Sequence, residues 1–100
     1  MPDAFFCYCD LAAKKLQQKL TKQGINVPEA VSLIGFDDTD ICMETTPTLS
    51  SVGVVKHNIA KEAFSVMLRA RLSDKQIMVE LFPTIYLRDS ARNLANYTDV

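Results

Sequence analysis

The segment Val31–Phe36 constrains the fold of this 100-residue chain more than any other. It reads Val-Ser-Leu-Ile-Gly-Phe, is apolar almost throughout, and ends abruptly at Asp37 and Asp38. A nearly continuous apolar run of this length is typical of a parallel strand that is covered on both faces. The segment therefore predicts a buried strand of an α/β sheet.

A strand and a helix are expected before this segment. Residues 4–8 are short, apolar and aromatic, as in a buried strand. Asp10 is expected to cap a helix over residues 11–23, and Gly24 stands where a left-handed helix terminator is expected. The expected apolar stripe of that helix consists of Leu11, Ala12, Leu16 and Leu20.

The second half of the chain repeats the alternation. Leu49–Val55 predicts another strand, and apolar spacing predicts a helix over residues 58–71 with Asn58 as its cap. Residues 77–81 and 84–88 are expected to be extended. The last ten residues are polar and are expected to fray.

This order predicts an α/β fold with a mostly parallel sheet and crossover helices, and the length allows one domain. Ligands of open sheets bind beyond the carboxyl ends of the strands. Two such ends are located here, at Tyr8-Cys9-Asp10 and at Asp37-Asp38-Thr39. A ligand site is therefore expected where these two segments meet.

Composition narrows the class of protein. The 11 basic and 12 acidic residues give a net charge of −1, which argues against a free-standing nucleic-acid binder. Three cysteines, an odd number, argue against a disulfide framework and favour a reducing cytoplasm. No apolar run approaches the roughly 18 residues that a membrane span needs. Met1-Pro2-Asp3 lacks the features of a signal peptide.

Five stretches of sequence carry a family resemblance. They are PDAFFC at 2–7, DLAA at 10–13, GINVPEAVSLIGFDD at 24–38, TPTLSSV at 46–52, and FPT with LRDS at 82–84 and 87–90. In this order they resemble the effector domain of the LacI/GalR family of transcription regulators. The resemblance implies that residues 1–100 form the C-terminal portion of a periplasmic-binding-protein-like domain. It also implies a small-molecule effector, and operator DNA bound only through a helix-turn-helix that this chain lacks.

The resemblance implies a ligand site that includes Asp37, the first aspartate of GFDD. A carboxylate has two acceptor oxygens and can bind vicinal hydroxyls, although an aspartate here can also simply stabilise a turn. Cys9 replaces the family's usual asparagine, Val54 replaces its glutamine, and Tyr8 replaces a small residue. Either the pocket is more apolar than a typical sugar site or the ligand is no sugar.

The resemblance also implies a homodimer. Its contacts are expected on the helix 11–23 and the loop 38–46, at Leu11, Lys14, Gln18, Ile41 and Thr45. The apolar stripe of the helix 58–71 needs cover, because a large exposed patch invites association. We therefore expect this chain alone to dimerise and to bind effector weakly.

No metal, cofactor or catalytic residue is predicted. Cys7 and Cys9 share a strand face, but Cys42 and His57 are the only other soft ligands and the spacing does not suit zinc. No nucleophile with a neighbouring base stands out.

Two alternatives to a regulator stay open. One is half of a secreted solute-binding protein of the same fold, which the cysteines and the missing signal segment disfavour. The other is a small α/β enzyme assisted by a metal at Asp37, Asp38 and Asp40, which lack the spacing and the glycine of an EF-hand.

Overall fold

The computed structural model describes residues 1–92. Most of the predicted polar chain end and the last eight residues of the expected 1–100 domain lie outside the described residues. The elements within residues 1–92 are β1 Ala4–Phe6, α1 Asp10–Lys22, β2 Ser32–Phe36, a 3-10 turn Asp40–Met43, β3 Ser50–Gly53, α2 Lys56–Ala70 and β4 Thr84–Tyr86.

The four strands form one sheet in the order β1-β2-β3-β4. β1 runs parallel to β2, with Phe5 opposite Leu33, and β2 runs parallel to β3, with Gly35 opposite Ser51. The α/β class with a mostly parallel sheet is thus confirmed. β2 is paired with a strand on each side, and all its residues except Ile34 and Phe36 are buried, which accounts for its nearly continuous apolar sequence. The carboxyl ends of β1, β2 and β3 lie at the same edge of the sheet.

The core lies between the sheet and α1. Its buried apolar members are Ala13, Leu20, Val27, Val31, Leu33, Cys42 and Leu49. The buried face of α1 differs from the predicted leucine stripe, since Leu11 is 46% exposed whereas Asp10 and Gln17 are buried. Two polar side chains can face the core because loops bring them hydrogen-bond partners, which helical spacing does not reveal.

The ends of α1 correct one prediction and confirm another. Asp10 does not cap the helix; Cys9 does, because its sulfur accepts a hydrogen bond from the backbone N–H of Ala12 at 3.4 Å. Gly24 adopts the predicted left-handed conformation, with φ at +76°.

The chain divides into two compact units, and Val54–Thr84 forms the second. There α2 begins earlier than predicted, at Lys56, and Asn58 lies inside it, so the predicted asparagine cap is wrong. No strand forms over residues 77–81. Val79 and Leu81 instead line an open groove of about 420 Å³ together with residues of α2. No side chain of α2 is buried.

Candidate functional site

The carboxyl edge of the sheet carries a three-residue turn, Asp37–Thr39, which directly follows β2. Asp37 and Asp38 both have positive φ, at 94° and 53°. Residues other than glycine rarely adopt this conformation, at a cost of about 1–3 kcal/mol each, unless the surroundings hold them there. The contacts that hold this turn are therefore central to the site.

Each backbone N–H of the turn donates to a different acceptor. The Asp37 N–H donates to the carbonyl of Val52 at 2.7 Å. The Asp38 N–H donates to the hydroxyl of Ser51 at 2.9 Å, and the Thr39 N–H donates to a carboxylate oxygen of Asp10 at 2.6 Å. The turn is thus fixed by β3 on one side and by the first residue of α1 on the other.

Asp10 is the centre of this network. Its side chain is 1% exposed, and one oxygen also accepts from the Thr39 hydroxyl at 2.8 Å. The other oxygen accepts from the Ser51 hydroxyl at 2.6 Å. Burial opposes ionisation, but the hydrogen bonds from Ser51 and Thr39 outweigh it and lower the pKa of the Asp10 carboxyl. Asp10 is therefore a buried, fully bonded carboxylate.

Cys42 lies against the same carboxylate. Burial first, and then the charge and a hydrogen bond of Asp10, raise the pKa of the Cys42 thiol to about 11. At neutral pH this thiol is protonated, which lowers its reactivity as a nucleophile.

Two glycines make room for the turn. A Cβ built on Gly35 would collide with the carboxylate of Asp10 and lie 3.0 Å from its Cα. A Cβ on Gly53 would lie 2.9 Å from the carbonyl carbon and oxygen of Asp37. The glycine of the GFDD stretch is thus explained by the approach of Asp10, which the sequence alone did not indicate.

Asp38 and Asp37 have different roles. The Asp38 carboxylate pairs with the guanidinium of Arg88 at 2.7 Å, and Arg88 also donates to the carbonyl of Leu49 at 2.8 Å. Asp37 is exposed, and within residues 1–92 its carboxylate has no recorded hydrogen bond or ion pair. Asp37 is therefore the acidic side chain of the turn whose acceptor oxygens stay available to a ligand.

The other predicted ligand residues are placed as follows. Tyr8 is 83% exposed and Cys9 is half-buried, and both follow β1 at the same edge as Asp37. The sulfur of Cys9 is engaged at the start of α1. Val54 is the first residue of the second unit.

An aromatic pair at this edge was missed by sequence reasoning. Phe6 ends β1 and Phe36 ends β2, and their ring centroids lie 6.4 Å apart. Both rings are exposed. The sequence could have indicated this ring pair only through the parallel register of the two strands, which places their last residues close together. The edge thus carries exposed aromatic rings as well as a carboxylate.

The predicted dimer residues lie at three different places. Lys14, Gln18 and Thr45 line one open groove of about 480 Å³, next to the ion pair between Lys14 and Glu44 at 3.3 Å. Leu11 lies instead beside Tyr8 in a groove of about 320 Å³. Ile41 is half-buried in the 3-10 turn.

Residues 1–92 contain neither a cluster of metal ligands nor a membrane-spanning helix. In this part of the chain, no group of three or more His, Cys, Asp or Glu side chains is arranged to hold a metal ion. Neither described helix has the length and apolar character needed to cross a bilayer.

Known proteins resemble this chain in sequence and in fold. Residues 1–91 match the family of periplasmic binding protein-like domains. The HTH-type transcriptional repressor PurR of Vibrio cholerae serotype O1 is 34% identical over 96 residues, which cover 93% of this chain. The chain spans only 28% of the length of that repressor.

Two solved structures extend the comparison. A LacI family transcriptional regulator from Silicibacter pomeroyi superimposes with a TM-score of 0.77 and 34% identity, covering 91% of this chain and 33% of that protein. A sugar-binding LacI-family regulator from Escherichia coli, complexed with phosphate, has a TM-score of 0.72 and 30% identity. That alignment covers 88% of this chain and 32% of the regulator.

Proposed function

Because the chain belongs to the periplasmic binding protein-like domain family, we propose that it forms part of the ligand-sensing segment of a LacI/GalR-type transcription regulator. The resemblance to that family drawn from the sequence is confirmed. One observation carries the proposal beyond the family. The Asp37–Thr39 turn is bonded at every backbone N–H, while the Asp37 carboxylate is left exposed at the edge where ligands of such sheets bind.

The proposed ligand is a small molecule with hydroxyl groups and an apolar face. Asp37 would accept hydrogen bonds from the hydroxyls, since an ionised carboxylate is purely an acceptor. Exposed aromatic faces suit a flat or ring-shaped ligand, and Tyr8, Phe6 and Phe36 supply them. Cys9 contributes a weakly polar surface, because its sulfur already accepts from α1. The site is thus more apolar than one built from carboxylates and amides.

The proposed mechanism is a population shift. Ligand binding at this edge would stabilise one arrangement of a larger domain and so change the affinity of a separate helix-turn-helix for operator DNA. That role is non-enzymatic and puts the protein in the cytoplasm, where the DNA is. The alternatives, a secreted solute-binding protein and a metal-assisted enzyme, gain no support from the relatives, which are named as repressors and regulators.

Homodimerisation is proposed through the groove that Lys14, Gln18 and Thr45 line. The exposed side chain of Gln18 and the ion pair of Lys14 with Glu44 give this groove a polar lining. Sedimentation equilibrium of the chain and of Gln18→Glu tests this. A weaker dimer in the variant is expected, and a wild-type monomer at high concentration would refute it.

The ligand proposal is tested by calorimetry on the protein encoded by the whole reading frame. The panel contains mono- and disaccharides, including lactose and sucrose, together with nucleobases. For any ligand that binds, Asp37→Asn is expected to weaken binding by about 10- to 100-fold, the usual value of a hydrogen bond to a charged group. Asp40→Asn is the matched control, because Asp40 is an exposed aspartate of the same loop. Equal affinities of the two variants would refute the role of Asp37.

A further inference from the structure

The Asp37–Thr39 turn has an anchor that lies far from it in the sequence. Asp10 belongs to α1, 29 residues before Thr39, yet its carboxylate binds both the backbone N–H and the hydroxyl of that residue. The same carboxylate accepts from Ser51, whose hydroxyl in turn accepts from the N–H of Asp38. Two of the three turn residues are thus bonded to Asp10 directly or through one hydroxyl.

We propose that Asp10 is a positioning residue of the ligand edge, which holds the turn in the left-handed conformation that presents the Asp37 side chain. It touches no ligand itself. The inference rests on the proposed function in that Asp37 is taken as the acceptor of ligand hydroxyls.

The geometry favours positioning over simple helix capping. The capping position is already filled, because the Cys9 sulfur accepts from Ala12. Gly35 leaves the space into which the Asp10 carboxylate fits, and a side chain there would displace it. The turn needs such an anchor, because consecutive positive φ values at Asp37 and Asp38 are held only by surrounding contacts.

Amide hydrogen exchange of the ¹⁵N-labelled 100-residue chain, followed by NMR, tests the inference without any ligand. In Asp10→Ala, exchange at Thr39 is expected to accelerate about 10- to 100-fold relative to the amides of β2, because its N–H loses a charged acceptor. A smaller acceleration is expected at Asp38, whose acceptor Ser51 stays but loses its own bond to Asp10. Asp10→Asn retains one acceptor oxygen, so an intermediate acceleration is expected.

Two controls separate positioning from general stability. Asp40→Ala removes an exposed aspartate from the same loop, and Leu20→Ala weakens the core at the other end of α1. A merely structural role of Asp10 would accelerate all amides together, as Leu20→Ala should. That uniform pattern, or exchange at Thr39 no faster than in Asp40→Ala, would overturn the inference.

If Asp10→Ala does not fold, Asp10→Asn decides the matter. Faster exchange at Thr39 that is confined to the turn supports the inference, and unchanged exchange at Thr39 overturns it. The proposed function is tested independently of this inference. If no ligand of the calorimetric panel binds, the role of Asp37 is refuted, but the exchange pattern expected for the turn stays the same.

Discussion

Replacing Gly35 with alanine tests how closely Asp10 and β2 are packed. The added methyl group would overlap the Asp10 carboxylate and lie 3.0 Å from the Asp10 Cα, which is tighter than most Cβ contacts. Either the carboxylate rotates away from Thr39 and Ser51 or the start of α1 moves off the sheet. Both responses break the bonds that hold the Asp37–Thr39 turn.

The expected cost is about 3–5 kcal/mol. Forcing a methyl group into a filled interior costs about 1–3 kcal/mol, and losing a hydrogen bond to a charged group costs about 1.5–3 kcal/mol. Small domains are stable by about 5–15 kcal/mol, so the variant should lose a large part of its stability.

Urea unfolding followed by circular dichroism measures this cost. Gly24→Ala is the matched control, because Gly24 has open space around its Cα and its φ of +76° alone penalises a side chain. That penalty is about 1–2 kcal/mol. The double variant of Gly35→Ala with Asp10→Ala should cost less than the sum of the two single changes by about 1 kcal/mol or more, since the collision is then relieved.

A Gly35→Ala variant no less stable than Gly24→Ala would refute the close packing of Asp10 on β2. Strict additivity of the double variant would show that the methyl group and the carboxylate do not compete for the same space.

Three further outcomes are expected. The pKa of the Asp10 carboxyl is lowered in the folded state, so its contribution to stability is complete above the unfolded pKa of about 3.9. This contribution is lost as the pH falls through the folded pKa. The urea midpoint of the wild type should therefore fall more steeply in acid than that of Asp10→Asn. Iodoacetamide at mildly alkaline pH should label Cys42 far more slowly than Cys9 in the native chain, because the Cys42 pKa of about 11 keeps its thiol protonated. In urea the two cysteines should be labelled equally, and mass spectrometry measures both rates. Arg88→Ala should lower the free energy of unfolding by about 1–3 kcal/mol, because it leaves Asp38 without its partner. Arg88→Lys should recover part of that loss. Equal stability of the two variants would contradict a role for the ion pair.

The residues at the start of α1 show where sequence reasoning stops. Asp10 was expected to cap the helix and Cys9 to face the ligand. In the structure Cys9 caps the helix and Asp10 binds the turn after β2. Residue type suggested the first assignment, because aspartate is a common cap. Only the fold shows that a chain segment 29 residues away supplies two better donors for that carboxylate.

The sequence by itself determined the class of the fold, because the apolar run of β2, the helical spacing and Gly24 are local signals with local causes. It also placed Asp37 at the end of a buried strand, since a strand's end is visible where apolar residues stop. Tertiary structure alone decided which polar residues are buried and what each one holds. Asp10, Ser51 and Arg88 acquire their roles from segments that the sheet brings together, and neither periodicity nor residue type encodes which distant donor meets which acceptor.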